Sequence, residues 1–291
     1  MLNSMSNNLQ PAPGKQGLLD DLYISLLKKT LRFAFWEDPG KPISAVAYRA
    51  GFLAPVVLAV SSILEKFRLR IVVLQDKEME RQMPGSSWPA CAHSMVAMPR
   101  LDNLIHAVRT VLKENIPGDL IETGVWRGGA CILMKGVLAV HGDSSRRLFV
   151  ADSFEGLPAP DAAKYPKDKG DKHHVHQFLA VSKEEVEENF RKYELLDERV
   201  IFLKGWFKDT LPTAPIKQLA VMRLDGDMYE STMDALTNLY PKLSPGGFCI
   251  IDDYGLPGCK LAVDDFRAQN KISEPLEQID YGGSFWRKKL G

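Results

Sequence analysis

The segment LIETGVWRGGACILM, residues 120–134, decides the fold. An apolar run ends on an acid, a glycine-bearing turn follows, and an apolar helical pattern starts at once. A buried strand feeding a helix through such a turn is the nucleotide-holding corner of an open α/β sheet. The turn also narrows the ligand. In a G-x-G-x-x-G fingerprint counted from Gly124, the second glycine would fall on Trp126. That glycine lets backbone approach a pyrophosphate. Tryptophan there disfavours a dinucleotide and favours a ligand with an adenosine and no phosphate, of which S-adenosylmethionine is one.

Outward from this corner the chain alternates. Apolar runs stand at 119–124, 146–152, 199–205, 219–227 and 247–254, with helical patterns at 128–140, 182–195, 230–243 and about 258–269 between them. Ser182 and Glu185 open the second helix as a capping box. Buried runs alternating with helices predict a parallel sheet wound on both faces. The end differs: PLEQIDYGGSFWRKKL, 275–290, reads as an antiparallel hairpin at the sheet edge. Together these features predict an α/β fold, a doubly wound sheet with a final antiparallel hairpin and an N-terminal helical extension, which by fold analogy alone resembles the Rossmann-like fold of class I methyltransferases.

Before the core, the polar stretch 1–17 reads as a flexible tail without a signal core. Residues 18–117 read as a helical extension that serves as lid and oligomer contact, and 118–291 as the cofactor-binding core. Helical spacing covers 18–37, EDPGKP (37–42) breaks it, and a mostly helical stretch follows over about 44–75. The apolar run 51–64 has about 14 residues, whereas a spanning helix needs roughly 20; it reads as a core or interface helix. A homo-oligomer, dimer or larger, is expected from these apolar helices. RLDNLIHAVRTVLKENIPGD, 100–119, is an amphipathic helix ended by Pro117 and Gly118.

The chain has 291 residues, zero formal net charge and no basic run, so nucleic acid is not an expected partner. Cys91, Cys131, Cys249 and Cys259 show no paired spacing. They read as small core residues in a reducing cytoplasm.

Ligands of open α/β sheets sit beyond the carboxyl ends of the strands. Glu122 ends the first core strand and can serve an ammonium group. Asp152, followed by Ser153 and Phe154, ends the second and can accept from ribose hydroxyls. Gly205, Trp206 and Phe207 end the third, where rings can flank adenine. The fourth and fifth strands end in Asp225-Gly226-Asp227 and Asp252-Asp253. Acids at adjacent strand ends repel one another and call for a cation. Oxygen-only donors suit Mg²⁺, and no histidine or cysteine at those ends suggests zinc. Such an ion would lower the pKa of an acceptor hydroxyl and fix it for attack on a methyl group.

With these residues in view, AHSMVAMPRLDNL (92–104), IETGVWRGGACILM (121–134), ADSFEGLP (151–158), LDGDMYESTMDALTNLYPKLSPGGFCIIDDYG (224–255) and AVDDFR (262–267) resemble segments of the macrocin O-methyltransferase family. The resemblance covers residues 90–291, with DLYISLLKKTL near the start. It implies S-adenosylmethionine, Mg²⁺ and methylation of a hydroxyl on a small molecule, a sugar of a glycosylated natural product. It makes Asp225, Asp252 and Asp253 the metal ligands and Asp225 the candidate general base. It places the cofactor on Ser94, Met95, Glu122, Thr123, Gly124, Trp126, Gly128, Asp152, Ser153, Phe154, Gly205, Trp206, Phe207 and Asp225. Catechol O-methyltransferases, similar at greater distance, carry a lysine three residues after their first metal aspartate. Here that position is Met228, so a lysine base does not carry over and the base stays open. Residues 47–75 have no expected counterpart in the family.

The 157–180 connection reads as a lid, its His173, His174 and His176 facing solvent or substrate. The charged run 182–199 reads as a solvated helix face. Two other functions compete: an NAD-dependent oxidoreductase, disfavoured by Trp126 and by the lack of a Tyr-x-x-x-Lys pair, and a cofactor-binding protein without chemistry, disfavoured by the clustered acids.

Overall fold

The structure is a computed structural model and describes residues 16–36, 40–43, 51–74 and 88–290. Most of the expected tail and part of the expected helix over 44–75 lie outside the described residues. The elements in chain order are α1 (Gln16–Leu31), β1 (Lys41–Pro42), α2 (Ala54–Lys66), β2 (Val72–Val73), α3 (Met98–Lys113), β3 (Asp119–Thr123), α4 (Gly129–Val140), β4 (Leu148–Asp152), α5 (Lys183–Lys192), β5 (Val200–Lys204), α6 (Phe207–Thr210), β6 (Leu219–Leu224), α7 (Tyr229–Leu239), β7 (Leu243–Ile251), α8 (Pro257–Gln269), β8 (Glu277–Gln278) and β9 (Ser284–Arg287).

Seven strands form one sheet in the order β5-β4-β3-β6-β7-β9-β8. The first five are parallel, and β9 and β8 join antiparallel. The doubly wound sheet and reversed final pair are those read from the sequence. The side-chain period of two explains the two cores. Leu120, Val150, Val221 and Ile250 pack with Leu104, Leu133 and Phe190 of α3, α4 and α5 on one face. Their neighbours Ile121, Phe149, Met222 and Cys249 pack with Leu236, Val263 and Phe266 of α7 and α8 on the other. The Ser182 hydroxyl accepts from the Glu185 N–H at 3.2 Å, as the cap predicted. Cys131, Cys249 and Cys259 are buried free thiols, and Cys91 is exposed.

Three local features differ from expectation. The short helix α6 follows β5, in a stretch outside the helical segments read from the sequence. The 157–180 connection contains three single-turn helices rather than open loop. The apolar run 51–64 is not a core helix: only Ser61 of α2 is buried, and Phe52 is 91 % exposed. No helix among the described residues is long and apolar enough to cross a membrane.

Candidate active site

A cavity of about 660 Å³ opens over the carboxyl ends of the parallel strands, where strand order reverses between β3 and β6. Ser94, Met95, Glu122, Gly124, Trp126, Asp152, Ser153, Gly205, Trp206, Phe207, Asp225, Asp252 and Asp253 all line it. The other three expected cofactor residues do not. Thr123 is enclosed within β3. A Cβ on Gly128 would point at Val186 of α5. Phe154 is buried in the core, its ring 6.1 Å from Phe202.

The glycine turn has a reason beyond the ligand. Gly124 takes φ +77°, and a Cβ there would collide with the Asp225 carbonyl oxygen. The turn therefore abuts the loop that carries the acids. Trp126 takes a left-handed conformation, φ +48°, which a bulky residue adopts only at a cost of order 1–3 kcal/mol. Its indole N–H donates to the Phe178 carbonyl at 2.9 Å. The side chain that displaces a glycine thus fastens the lid. Asp152 binds the turn from the next strand: its two oxygens accept from the Val125 and Phe154 N–H groups, each at 2.7 Å. Burial raises the Asp152 pKa, and these amides pull it back. Beside the turn, His93 lines the cavity with Nδ1 2.8 Å from the Tyr193 hydroxyl. Burial, then Lys192 and Arg127, lower its pKa to about 4, so it is neutral at pH 7.

Below the cavity one guanidinium joins its two halves. Arg223, 1 % exposed, lies opposite Glu122 in the β3–β6 register. It pairs with Glu122, with Asp225 at 3.0 Å and with Asp252 at 2.6 Å. Burial opposes its charge, but the three acids outweigh burial and raise its pKa further. Glu122, expected to meet an ammonium group, has its oxygens engaged by Arg223 and, at 2.7 Å, by the Cys131 thiol. Burial raises the Glu122 pKa, and Arg223 opposes the rise. Arg100 of α3 forms a second clamp. It holds Asp252 through the side chain at 2.8 Å and the carbonyl at 3.0 Å, and Asp280 at 2.8 Å.

The acid cluster departs from the expected metal set in one member. The carboxylates whose oxygens lie within 4.8 Å of one another are Asp225, Asp227 and Asp253. Asp252 stands beside them, drawn to Arg223 and Arg100. Among the described residues, no cation pairs with Asp227 or Asp253. Burial raises the Asp225 pKa well above the usual range, and Asp253 and Asp252 add to it. Burial, then Asp225, does the same to Asp227. Burial, with Asp227 and Asp252, lifts Asp253 to about 8. Such crowding fits a divalent cation with oxygen ligands.

Sequence reasoning left Arg100, Arg223 and Asp227 without roles. Arg223 carried a signal, a lone charge inside an apolar strand, and Asp227 stood in plain view in the DGD turn. Arg100 and the buried lid residue Asp168 gave none, because their partners are remote in sequence.

Comparison with known proteins is consistent across sequence and structure. A family model described as macrocin-O-methyltransferase (TylF) matches residues 20–288. The match includes 47–75, so that stretch belongs to the family's length rather than standing outside it. A tetracenomycin-C rhamnosyl 4'-O-methyltransferase from Streptomyces olivaceus is 47% identical over 268 residues, covering 92% of both chains. Demethyldecarbamoylnovobiocin O-methyltransferase from Streptomyces niveus is 48% identical over 269 residues, covering 92% of this chain and 93% of its own. The solved structure of the O-methyltransferase NovP superposes with a TM-score of 0.79 at 45% identity, covering 93% of this chain and 99% of that one. The calicheamicin methyltransferase CalS11, at 21% identity and a TM-score of 0.53, covers 65% of this chain and 79% of its own and shares the fold. Nothing among these relatives supports the oxidoreductase alternative. The glycine turn, the doubly wound sheet and the reversed final strands are thus those of an O-methyltransferase, and the chain belongs to the macrocin O-methyltransferase family.

Proposed function

We propose that this enzyme transfers a methyl group from S-adenosylmethionine to a sugar hydroxyl of a glycosylated natural product, with a divalent cation, Mg²⁺, in the acid cluster. The observation that carries the proposal is the contact of the cofactor turn with the acid loop at Gly124 and Asp225. It sets the two halves of the reaction side by side. The sugar acceptor rests on the printed activity of the 47% identical relative, a rhamnosyl 4'-O-methyltransferase.

S-adenosylmethionine supplies an electrophilic methyl on a sulfonium, and a bound divalent cation makes an acceptor hydroxyl more acidic. The protein's own groups do the rest. The Gly124–Gly129 turn, Asp152 and the Gly205–Phe207 corner bind and orient the cofactor. Thr123, Gly128 and Phe154 support that wall from behind. Asp225 and Asp253 belong both to the expected metal set and to the converging cluster, and they would hold the cation. Asp252, the remaining member of the expected set, is held by Arg100 and Arg223 and would join them only if it gave up one of these contacts. Asp227, next to these oxygens and without a cationic partner among the described residues, is the proton acceptor in this reading: held ionised, it would take the hydroxyl proton as the oxygen lone pair attacks the methyl carbon, the carbon–sulfur bond breaks and S-adenosylhomocysteine leaves with the bonding pair. Asp225, the base candidate from sequence, is already committed to Arg223 and serves as ligand. In the competing arrangement Asp227 is the third ligand. Asp227→Asn would then weaken metal affinity, whereas loss of a base lowers kcat and leaves metal affinity intact.

The exposed apolar face of α2 is read as the contact with a second copy of this chain. A monomer mass in sedimentation equilibrium would remove that reading. A cytoplasmic location is part of this proposal, and the buried free thiols are compatible with it.

The test of function is calorimetric titration with S-adenosylhomocysteine, with NAD as control. Binding of the first alone is expected, with thermal stabilisation of about 2.7 kcal/mol at a hundredfold excess over Kd. Turnover should stop in excess EDTA while S-adenosylhomocysteine still binds. Binding of NAD alone would overturn the assignment, and full turnover in EDTA would overturn the metal role.

A further inference from the structure

The 157–180 connection lines one side of the cavity and is fastened at two points that no local spacing suggests. Asp168, 4 % exposed, accepts from the Tyr229 N–H at 2.6 Å and from the Glu230 N–H at 3.0 Å. These are the first two amides of α7, which a helix leaves without internal partners. A negative charge at that end also suits the helix dipole. The helix begins directly after the acid loop, so a lid residue 61 positions away from Tyr229 caps the helix that follows Asp225 and Asp227.

Neighbours reinforce this clasp. Lys167 pairs with Asp265 and lies 4.6 Å from the centre of the Tyr229 ring. The Tyr229 hydroxyl donates to Asp265 at 3.0 Å. Gly258, at the start of α8, leaves the room: a Cβ there would come within 3.0 Å of Asp168 Oδ1. At the other end the Trp126 indole holds the Phe178 carbonyl. Residues 169–177 therefore form a bridge pinned to the acid loop on one side and to the cofactor turn on the other. His173 and His176 line the cavity from this bridge. Asp171 fixes His173, accepting from its backbone N–H at 2.9 Å and lying 2.7 Å from its Nδ1.

We propose that Asp168 is a positioning residue for acceptor recognition: it pins the lid to α7 so that residues 169–177 present His173 and His176 to the acceptor. The inference rests on the methyltransferase reading above. Imidazole nitrogens both donate and accept hydrogen bonds, which suits a hydroxyl-rich acceptor. Among the described residues the hydrogen bond that ties this segment to the cofactor turn is the one from Trp126 to Phe178, at the end away from Asp168, so loosening the Asp168 end is expected to act on acceptor binding more than on cofactor binding.

The experiment compares wild type, Asp168→Ala and Asp168→Asn in the full chain by amide hydrogen exchange and by kinetics with an aryl α-L-rhamnoside as acceptor. In Asp168→Ala, exchange over 169–177 should rise about tenfold or more while 120–135 stays unchanged. Acceptor KM should rise about tenfold with S-adenosylhomocysteine Kd within about threefold. Asp168→Asn, which keeps one accepting oxygen, should recover part of both. A residue that only stabilised the fold would raise exchange in every element and weaken both ligands by one factor, and that outcome overturns the proposal. Unchanged exchange over 169–177 also overturns it, whether or not the rhamnoside is turned over. If Asp168→Ala does not fold, His176→Ala decides: a raised acceptor KM at unchanged Tm supports the proposal, and an unchanged KM overturns it. Failure of the methyltransferase reading looks different, since wild type itself would then bind no S-adenosylhomocysteine.

Discussion

The carboxylates on the two sides of the cavity live under opposite conditions. On the β3–β4 side each acid has a partner from the chain: Glu122 has Arg223 and Cys131, and Asp152 has two backbone amides. On the β6–β7 side Asp225 shares Arg223 with Glu122 and Asp252, and Asp227 and Asp253 have no cationic partner among the described residues. The cofactor half is electrostatically complete without its ligand, and the acid half is not. Binding should therefore cost the first half little rearrangement, while the second stores repulsion that the proposed cation would relieve.

The sharpest way to break this contrast is Asp253→Asn. Turnover should fall at least about a hundredfold, because the cation loses a ligand worth several kcal/mol of charge stabilisation. Above about pH 8, where Asp253 is ionised, the metal-free variant should nevertheless melt higher than metal-free wild type, since one repelling charge is gone. The pH dependence has the same origin. Asp253 titrates near 8 when folded, well above an unfolded aspartate. The folded state thus holds more protons, so metal-free stability should fall as pH rises from about 4 to about 8. Differential scanning calorimetry in EDTA and in Mg²⁺ checks both statements. A Tm independent of pH in EDTA would contradict the crowding argument.

Arg223→Met comes next. It strips one cation from three acids, and breaking a buried ion pair from one side costs about 3–5 kcal/mol. Urea denaturation measures it, and adding Glu122→Gln should recover part of the loss because one stranded charge disappears. The smallest effect belongs to the complete half. Asp152→Ala should weaken S-adenosylhomocysteine binding by about 1.5–3 kcal/mol, the range for hydrogen bonds to a charged group, and leave Mg²⁺ affinity unchanged. Equal loss of both ligands would erase the distinction between the halves.

The sequence made one of these halves more legible than the other. Strand ends announce themselves by apolar runs, so Glu122, Asp152, Asp225 and Asp253 were found, and all four line the cavity. Period-two alternation and the glycine turn were enough for the sheet and its reversed edge. What stayed hidden depends on pairing across distance. Arg100 meets Asp252 across 152 positions, and Asp168 meets Tyr229 across 61. Asp252 looks like any strand-end acid until two guanidiniums are seen to hold it. Thr123, Gly128 and Phe154, which the resemblance places on the cofactor, adjoin residues that line the cavity without lining it themselves. The Thr123 and Phe154 side chains are buried away from the cavity, and a Cβ on Gly128 would point at Val186, since neighbours on a strand or tight turn need not share a face. The apolar run over α2 reads as buried by composition, yet nothing among the described residues covers it.

Arg100 has a consequence for the order in which the molecule is made. Its partners are Asp252, at the end of β7, and Asp280, in the turn that leads into β9. A ribosome delivers Arg100 long before either, so the chain carries an unpaired guanidinium through most of its synthesis. Until β9 arrives, the outer side of β7 offers open backbone groups, the kind of strand edge that invites mispairing with another nascent chain. The last strands to emerge both cover that edge and bring in the acid that completes the clamp, so closure of the sheet and completion of the catalytic floor fall in the same stretch of translation.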